Sequence, residues 1–435
     1  MKTLNIAIVG AGTAGIATAL CLAQQHIQVT LLERVTTLAP VGAGLLLQPA
    51  GLAVFEHLGL LDNVLKFGAR VNGLEGQLAN QDLIVNSHYQ DIDSTFYGLG
   101  IHRASLCYVL EQKARALPDL IHWQMDTEVM QYLEHQHGVK VLGKTAHQPY
   151  EAHFDGLIIA NGAKSQLRPP SWIKVDRPYP WGAKWCIVPE CLTLDPEILH
   201  QFYHGSKLML GVLPTGSTPQ HPEQRLSSIF WSMPTPLLHY FLRRAEDRQI
   251  WLDGIYSKWP DLATWLNTVI HQSNEMGHMQ AQQWLSAHYR DVVLAKFGQG
   301  RIGVIGDAAH AMSPQLGQGA NMALLDAWAL GQSIARARSG EQLDWAKLWQ
   351  HYHQQRASST RFYQFLSRLI TPLYQSEHWW AGGLRNLSFG WMNKIPYFRK
   401  EMNLSVTGLK TGLFQHIHYH DIAKPIQNQS FNLID

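Results

Sequence analysis

The spacing of apolar positions changes several times along the chain, and each change marks an element. Ile6-Ala7-Ile8-Val9 is continuously apolar and reads as a strand buried on both faces. It runs into Gly10-Ala11-Gly12-Thr13-Ala14-Gly15 and then into a helical run, Ile16 to Ala23. A second apolar strand, Gln28 to Leu32, ends on Glu33. Gly73 to Ala79 and Leu83 to Tyr89, broken by Asn80-Gln81-Asp82, predict a hairpin. A helix over Arg103 to Leu117 and a strand-rich stretch, 120 to 162, follow. Strands are expected at Trp181 to Val188, Leu208 to Leu213 and Leu226 to Met233, with turn signals at Pro214-Thr215-Gly216 and 218 to 222. Residues 234 to 285 read as helical and Trp-rich. A strand, Arg301 to Ile305, precedes Asp307, and a helix through Leu324, Leu325 and Leu330 continues in helical pattern to about Ile370.

Two of these junctions carry chemistry. In the first, Gly10 suits a tight turn, Gly12 a close approach of backbone to a pyrophosphate, and Gly15 close packing of helix on strand. Glu33, at the end of the second strand, stands where an acid takes ribose hydroxyls. Gly298-Gln299-Gly300-Arg301-Ile302-Gly303 also fits G-x-G-x-x-G, but a strand follows it, so it reads as a turn without a phosphate role. The second junction is Gly306-Asp307-Ala308-Ala309-His310, continuing to Pro314 and Gly317-Gln318-Gly319-Ala320-Asn321. A carboxylate at a strand end can accept polyol hydroxyls, and amides at a glycine-rich helix start can hold negative charge. The first junction alone allows FAD or NAD. The second, distant grip on a polyol and a ring edge favours a tightly held, non-covalent FAD.

Composition narrows the class. Over 435 residues, 46% are hydrophobic and 16% charged, as in globular chains with no disordered blocks. A net charge of +2 gives no electrostatic case for nucleic acid. The four cysteines, Cys21, Cys107, Cys186 and Cys191, form no C-x-x-C pair or zinc spacing, and a reducing cytoplasm fits them. The N-terminal apolar run is the first strand and helix rather than a signal peptide, and no run of apolar residues is long enough to span a membrane.

The two junctions together resemble those of the FAD-dependent aromatic hydroxylases of the para-hydroxybenzoate hydroxylase type, the single-component flavoprotein monooxygenases. Asp155-Gly156-Leu157-Ile158-Ile159-Ala160-Asn161-Gly162-Ala163 looks like that family's Asp-Gly segment, and His102-Arg103-Ala104-Ser105-Leu106 like its His-Arg-x-x-Leu helix start. Gly42-Ala43-Gly44 through Gln48-Pro49 resembles the segment after the first βαβ unit. The resemblance covers about residues 1 to 370. It implies an α/β fold: a Rossmann-like FAD/NAD(P)-binding domain of the glutathione-reductase type with an inserted antiparallel β-sheet substrate domain and C-terminal helices. The expected division is 1–72, 98–180 and 286–370 for FAD, 73–97 and 181–285 for substrate, and 371–435 as a C-terminal helical segment and tail.

Carried over by position, the resemblance implies that Gly10, Gly12, Thr13, Ala14 and Gly15 follow the pyrophosphate, with Glu33 on the adenosine ribose and Arg34 nearby. Arg103 reaches the pyrophosphate or flavin side, Val129 touches the adenine, and Gly44 belongs to the cofactor set. Asp307 takes the ribityl chain, Pro314 packs on the flavin, and Gly317, Gly319, Ala320 and Asn321 lie at its pyrimidine edge. Asp155 is the family's dual-function acid, with a turn-capping reading beside it. No catalytic side chain is singled out. Pro314 and His310 fall near the flavin, His310 reading as a packed or hydrogen-bonded structural residue.

The implied reaction uses NADPH or NADH as a transient co-substrate, without a second Rossmann unit, and O2. Hydroxylation of an aromatic or other flat apolar small molecule would proceed through a flavin C4a-hydroperoxide in a dry pocket. Trp185, Tyr203 and Phe230 are candidate substrate contacts, with Trp181 and Trp231 as further aromatics. Lys184, His204 and Arg225 are possible partners for an acidic substrate. A flavoprotein reductase or dehydrogenase, or a flavin-dependent halogenase, are the alternatives on this scaffold. The halogenase motif has no match in spacing at Trp185-Cys186-Ile187-Val188-Pro189, and 35–60 contain no Lys. A monomer or homodimer is expected. The last segment, with Trp379, Trp380, Trp391 and Phe398, could lie on a membrane surface or cover the substrate domain. The second is favoured, because no clear basic face segregates. His416, His418 and His420 read as a solvated tail.

Overall fold

The computed structural model describes residues 4–38, 43–146, 148–241, 245–275, 284–340, 342–392 and 394–424. Gly42, the tail beyond 424 and 276–283 of the Trp-rich helical region lie outside them. The apolar strands Asn5–Val9, Gln28–Leu32, Ile121–Gln124 and Gly156–Ile159 pair in parallel, in the order 156–159, 5–9, 28–32, 121–124. Ile302–Val304 extends this sheet in parallel beyond 156–159. Gly298–Gln299 adds an antiparallel edge, so the second glycine-rich stretch is a hairpin, as its context predicts. Burial on both faces explains the unbroken hydrophobic runs: Ile6, Ala7 and Ile8 are wholly inaccessible.

The helices Thr13–Ala23 and Gly319–Ala337 pack side by side, with Gly331 against Cys21. Their N-termini therefore open at the same end of the parallel sheet, the carboxyl end of its strands, where open α/β sheets bind ligands. A small antiparallel sheet, 127–135, 138–145 and 148–154, stands beside it.

The second large sheet has seven strands, ordered 285–294, 173–189, 221–234, 208–218, 198–204, 73–78, 83–88, antiparallel except for the 198–204/73–78 pair. Two of its strands depart from the sequence expectation. Ile198–His204 was not anticipated, and Leu285–Leu294 lies mostly in what was expected to be the nucleotide-binding part. The helices Ala245–Tyr256 and Pro260–Glu275 belong to the predicted helical region, with Trp251, Trp259 and Trp265 in the apolar cluster under the sheet. The fold is thus mixed α/β, with a parallel nucleotide-binding sheet and separate antiparallel sheets.

The Trp345–Tyr374 helix leads into shorter helices, Ala381–Met392 and Pro396–Val406, which pack on the 83–88 strand. Arg385 anchors them. Its guanidinium is buried 4.7 Å from the Tyr203 ring centroid and 5.3 Å from that of Tyr374, and it donates to Gly205 O at 3.0 Å. The C-terminal segment therefore packs on the 83–88 edge of the seven-stranded sheet. Among the described residues no helix is long and apolar enough to cross a membrane.

Candidate active site

The first glycine turn is shaped by close approach. Gly10 has φ +102°, and a Cβ there would meet Ala160 O and Asn161 Cα at 2.8 Å each. A Cβ on Gly15 would sit 1.8 Å from Gly10 O. At Gly12 a Cβ would meet nothing within 4 Å, so this face of the turn is open. Opposite it, the Ala11 amide donates to Glu33 Oε2 at 2.8 Å and the Val35 amide to Oε1 at 3.2 Å. These bonds hold the carboxylate at the rim of a cleft of about 760 Å3. Gly10, Gly12, Thr13, Ala14, Glu33, Arg34 and Val129 all line this cleft.

Asp307 is built from the other direction. Gly306, at φ +59°, turns the chain out of the Ile302–Val304 strand and leaves the Asp307 carboxylate exposed to the cleft, 3.9 Å from where a Cβ on Gly319 would stand. Two buried groups pin this turn. Asp326 accepts the Gly306 amide at 2.8 Å, His310 Nε2 at 2.6 Å and Arg356 Nε at 2.7 Å. Burial alone would raise its pKa, but the charges of His310 and Arg356 and the bonds to His310 and Gly306 outweigh it and hold the carboxyl well below the usual range. Arg168, also buried, donates to Ala308 O at 2.6 Å, Ser165 O at 2.7 Å and Asp176 Oδ2 at 2.9 Å.

The cleft continues into a second cavity of about 560 Å3. Leu45, Arg103, Lys164, Asp307, Gly319 and Ala320 line both. Segments some three hundred residues apart in sequence therefore meet around one continuous space. Gly44, His310, Pro314 and Gly317 lie on the second cavity, and Gly317 has the left-handed φ of +61° that its position before the helix requires.

Four expected site residues are not brought into this space: Gly15 packs against the Gly10 carbonyl inside the turn, and Asp155, Asn321 and Tyr203 face elsewhere. Asp155 accepts the Asn5 amide at 2.9 Å, at the start of the parallel strands and at the end opposite the glycine turn, so it ties two strands together away from the cleft. Asn321 is fully buried. Its Oδ1 accepts the Gln48 amide at 2.9 Å and its Nδ2 donates to Leu46 O and Gly317 O, so the side chain is a strut under the helix start. Tyr203 shares a sheet face with Leu199 and Gln201, but Tyr374 and Arg385 cover it and its hydroxyl donates to Gln201 Oε1 at 2.6 Å.

Trp185 and Phe230 do line the second cavity, their rings 5.0 Å apart. Trp231, one residue on, faces the opposite side against Trp251. Lys184 turns away to Ser286 Oγ at 2.8 Å, Arg225 pairs with Glu190, and His204 lies outside the lining. Sequence reasoning missed Tyr289 and His288, which line the cavity from the Leu285–Leu294 strand. The Trp185 indole donates to the Tyr289 hydroxyl at 3.1 Å. Burial pushes that phenol up to about 12, against the opposing effects of the Trp185 bond and Arg103. Tyr289 is therefore a neutral phenol whose own proton can be donated into the cavity.

A glycine turn with an anchored carboxylate, a second carboxylate facing a helix N-terminus, and a chamber of apolar and neutral polar side chains beyond them define a dinucleotide site joined to a small-molecule pocket. The family model described as FAD binding domain matches residues 3–188 and 246–362, and the chain belongs to that family. The 2-heptyl-3-hydroxy-4(1H)-quinolone synthase of Pseudomonas aeruginosa (strain UCBPP-PA14) is 25% identical over 398 residues, 88% of this chain and 93% of that protein. The 3-hydroxybenzoate 6-hydroxylase 1 of Aquipseudomonas alcaligenes is 23% identical over 419 residues, 91% of this chain and 95% of the relative. The solved p-nitrophenol 4-monooxygenase PnpA from Pseudomonas putida DLL-E4 superposes with a TM-score of 0.74 at 18% identity, covering 94% of this chain and all of its own. Klebsiella pneumoniae HpxO, complexed with FAD and uric acid, gives 0.71 at 19% identity, covering 92% and 97%. The resemblance to the FAD-dependent aromatic hydroxylases holds, and the chain is an FAD-dependent monooxygenase of that kind.

Proposed function

We propose that this enzyme hydroxylates a neutral, flat aromatic substrate, using NADPH or NADH and O2. The observation that carries this reading is the continuity of the nucleotide cleft with a chamber walled by Trp185, Phe230, Met209, Leu199, Leu213 and Leu74. Among the described residues, its Lys and Arg side chains are Arg103 and Lys164, and both sit at the junction with the cleft, where phosphate charge would be held. Among the described residues no Lys or Arg lines the substrate end, so a carboxylate there would be desolvated without a cationic partner from them.

The residues present fit FAD. The bare face of Gly12 admits the pyrophosphate, Glu33 and Asp307 offer carboxylates to ribose and ribityl hydroxyls, and the amides at Gly319 and Ala320 face the junction. When bound, the flavin would supply acceptance of hydride from the nicotinamide and activation of oxygen. The helix N-terminus at Gly319 would stabilise negative charge at the adjoining ring edge. Trp185 and Phe230 would hold a ring in the chamber, and the Tyr289 hydroxyl would donate to a carbonyl or hydroxyl on it. The apolar walls keep water from the reacting atoms.

The test is anaerobic reduction of the purified flavoprotein by NADPH and by NADH across a panel of neutral and carboxylated aromatics, followed by labelled O2 with the accelerating compounds. A neutral aromatic should speed reduction many-fold and acquire one labelled oxygen. Acceleration confined to carboxylates would overturn the substrate reading. Reduction without label in any product would favour a reductase or dehydrogenase.

A further inference from the structure

The helix Ala381–Met392 has two faces with different tasks. Its inner face holds Ala381, Gly382 and Arg385, all buried. Gly382 lies so close to the Gly205 turn that a Cβ would stand 2.9 Å from Gly205 Cα. With the Arg385 guanidinium set on Tyr203 and Tyr374, this face fixes the helix to the sheet. Packing on the seven-stranded sheet uses that face alone.

The outer face presents Trp380, Leu384, Leu387 and Trp391, spaced four, three and four apart and so aligned in one stripe along the helix. All four are exposed, Leu387 by 74% and Trp391 by 57%. Trp379 is exposed by 91% beside them, and Phe365 and Leu369, one turn apart on the preceding helix, are exposed as well. Isolated apolar side chains on a surface are ordinary, but a tryptophan-ended stripe on a rigidly anchored helix is a contact surface.

The charge around the stripe indicates what it contacts. Between His378 and Lys400 there is no acidic residue, while Lys394, Arg399 and Lys400 are exposed just past the helix. Tryptophans flanking leucines, with lysine and arginine beside them, match the layered chemistry of a bilayer interface, where indoles sit at headgroup depth and cations meet lipid phosphates. A two-fold contact with a second copy would set these cations near their own counterparts, with no carboxylate in the stretch to neutralise them. We propose that the outer face of this helix, with the cations that follow it, seats the protein on an anionic lipid surface. The sequence offered no segregated basic face, because the cations cluster in the next turn and helix rather than along the stripe itself.

Sedimentation of the full-length flavoprotein with vesicles tests this, using phosphatidylcholine alone and equal parts phosphatidylcholine and phosphatidylglycerol. Binding should require phosphatidylglycerol and weaken with salt. It should fall about fivefold for each of Lys394→Gln, Arg399→Gln and Lys400→Gln. The combined Trp380→Ser, Leu387→Ser and Trp391→Ser variant should lose vesicle binding while keeping flavin content and turnover. Should that variant fold poorly, the cation variants decide alone. Wild-type protein that ignores the mixed vesicles, or variants that bind as wild type does, would overturn the proposal. So would light scattering in which the stripe variant converts a dimer to a monomer while vesicles go unbound, since the surface would then hold a second copy.

Discussion

His310 Nε2 lies 2.6 Å from a carboxylate oxygen of Asp326, and both residues are buried. Because Asp326 is held ionised, it can only accept, so His310 Nε2 is the donor in this bond. The other carboxylate oxygen takes Arg356, and the first also takes the Gly306 amide. One buried carboxylate thus fixes the turn that aims Asp307, orients the His310 ring against the second cavity, and ties both to the long C-terminal helix.

Asp326→Asn should be strongly destabilising, because it leaves Arg356 buried beside a neutral partner. The expected loss is about 3–5 kcal/mol. Chemical denaturation of the flavin-free protein measures it, and a loss below about 1 kcal/mol would remove Asp326 from this role.

The same group sets an acid limb to stability. Its folded pKa is depressed, so its contribution is fully present above the unfolded carboxylate value, near pH 4, and is lost as pH falls from there through the lower folded value. Denaturation midpoints measured from about pH 6 downward should fall in the wild type, and Asp326→Asn should flatten part of that fall. Parallel curves for the two proteins would contradict the assignment.

Asp307→Ala should behave differently. Among the described residues nothing hydrogen-bonds its exposed carboxylate, so the flavin-free protein should keep its stability. Losing the bond to the polyol should weaken FAD retention by about ten- to a hundredfold. Equilibrium dialysis of flavin, paired with a melting curve, separates this from the Asp326 result. A yellow, fully loaded Asp307→Ala protein would take the residue out of the site.

Tyr289→Phe and Tyr203→Phe separate pocket from core. The first removes a donor facing the cavity and should raise KM or lower kcat about tenfold, with flavin content unchanged. The second removes a buried bond to Gln201 and should lower stability by about 1 kcal/mol with little effect on turnover. Steady-state kinetics with the substrate found by flavin reduction decides, and the reverse pattern would show that the cavity lining has been misread.

The parallel sheet and its glycine turn were legible because their signals are local: unbroken apolar runs, a fixed glycine spacing and an acid at a strand end. The Asp307 segment was legible for the same reason. What was not legible depends on partners far away in the chain. Alternation puts Tyr203 on the cavity-facing side of its strand, but nothing nearby in sequence says that Tyr374 and Arg385 cover it. Asp155 sits at a plausible motif position, yet the parallel pairing places it at the far end of the sheet. Arg168, Asp326 and Arg356 belong to no sequence motif, and only the fold shows that they converge under one turn. Tyr289 could have been found: Leu285, Ala287 and Tyr289 alternate with Ser286, His288 and Arg290, a strand pattern in a stretch that the sequence reading gave to the nucleotide-binding part.

The central claim is that one FAD spans both cavities, its adenosine at Glu33 and Val129 and its ring at the junction. A crystal structure of the flavin-loaded protein tests this most directly. The account predicts the ribityl hydroxyls on Asp307 and the isoalloxazine between the Pro314–Gly319 segment and the Trp185–Phe230 chamber. Density for the ring anywhere outside that junction, or for a nucleotide confined to the first cleft, would contradict it.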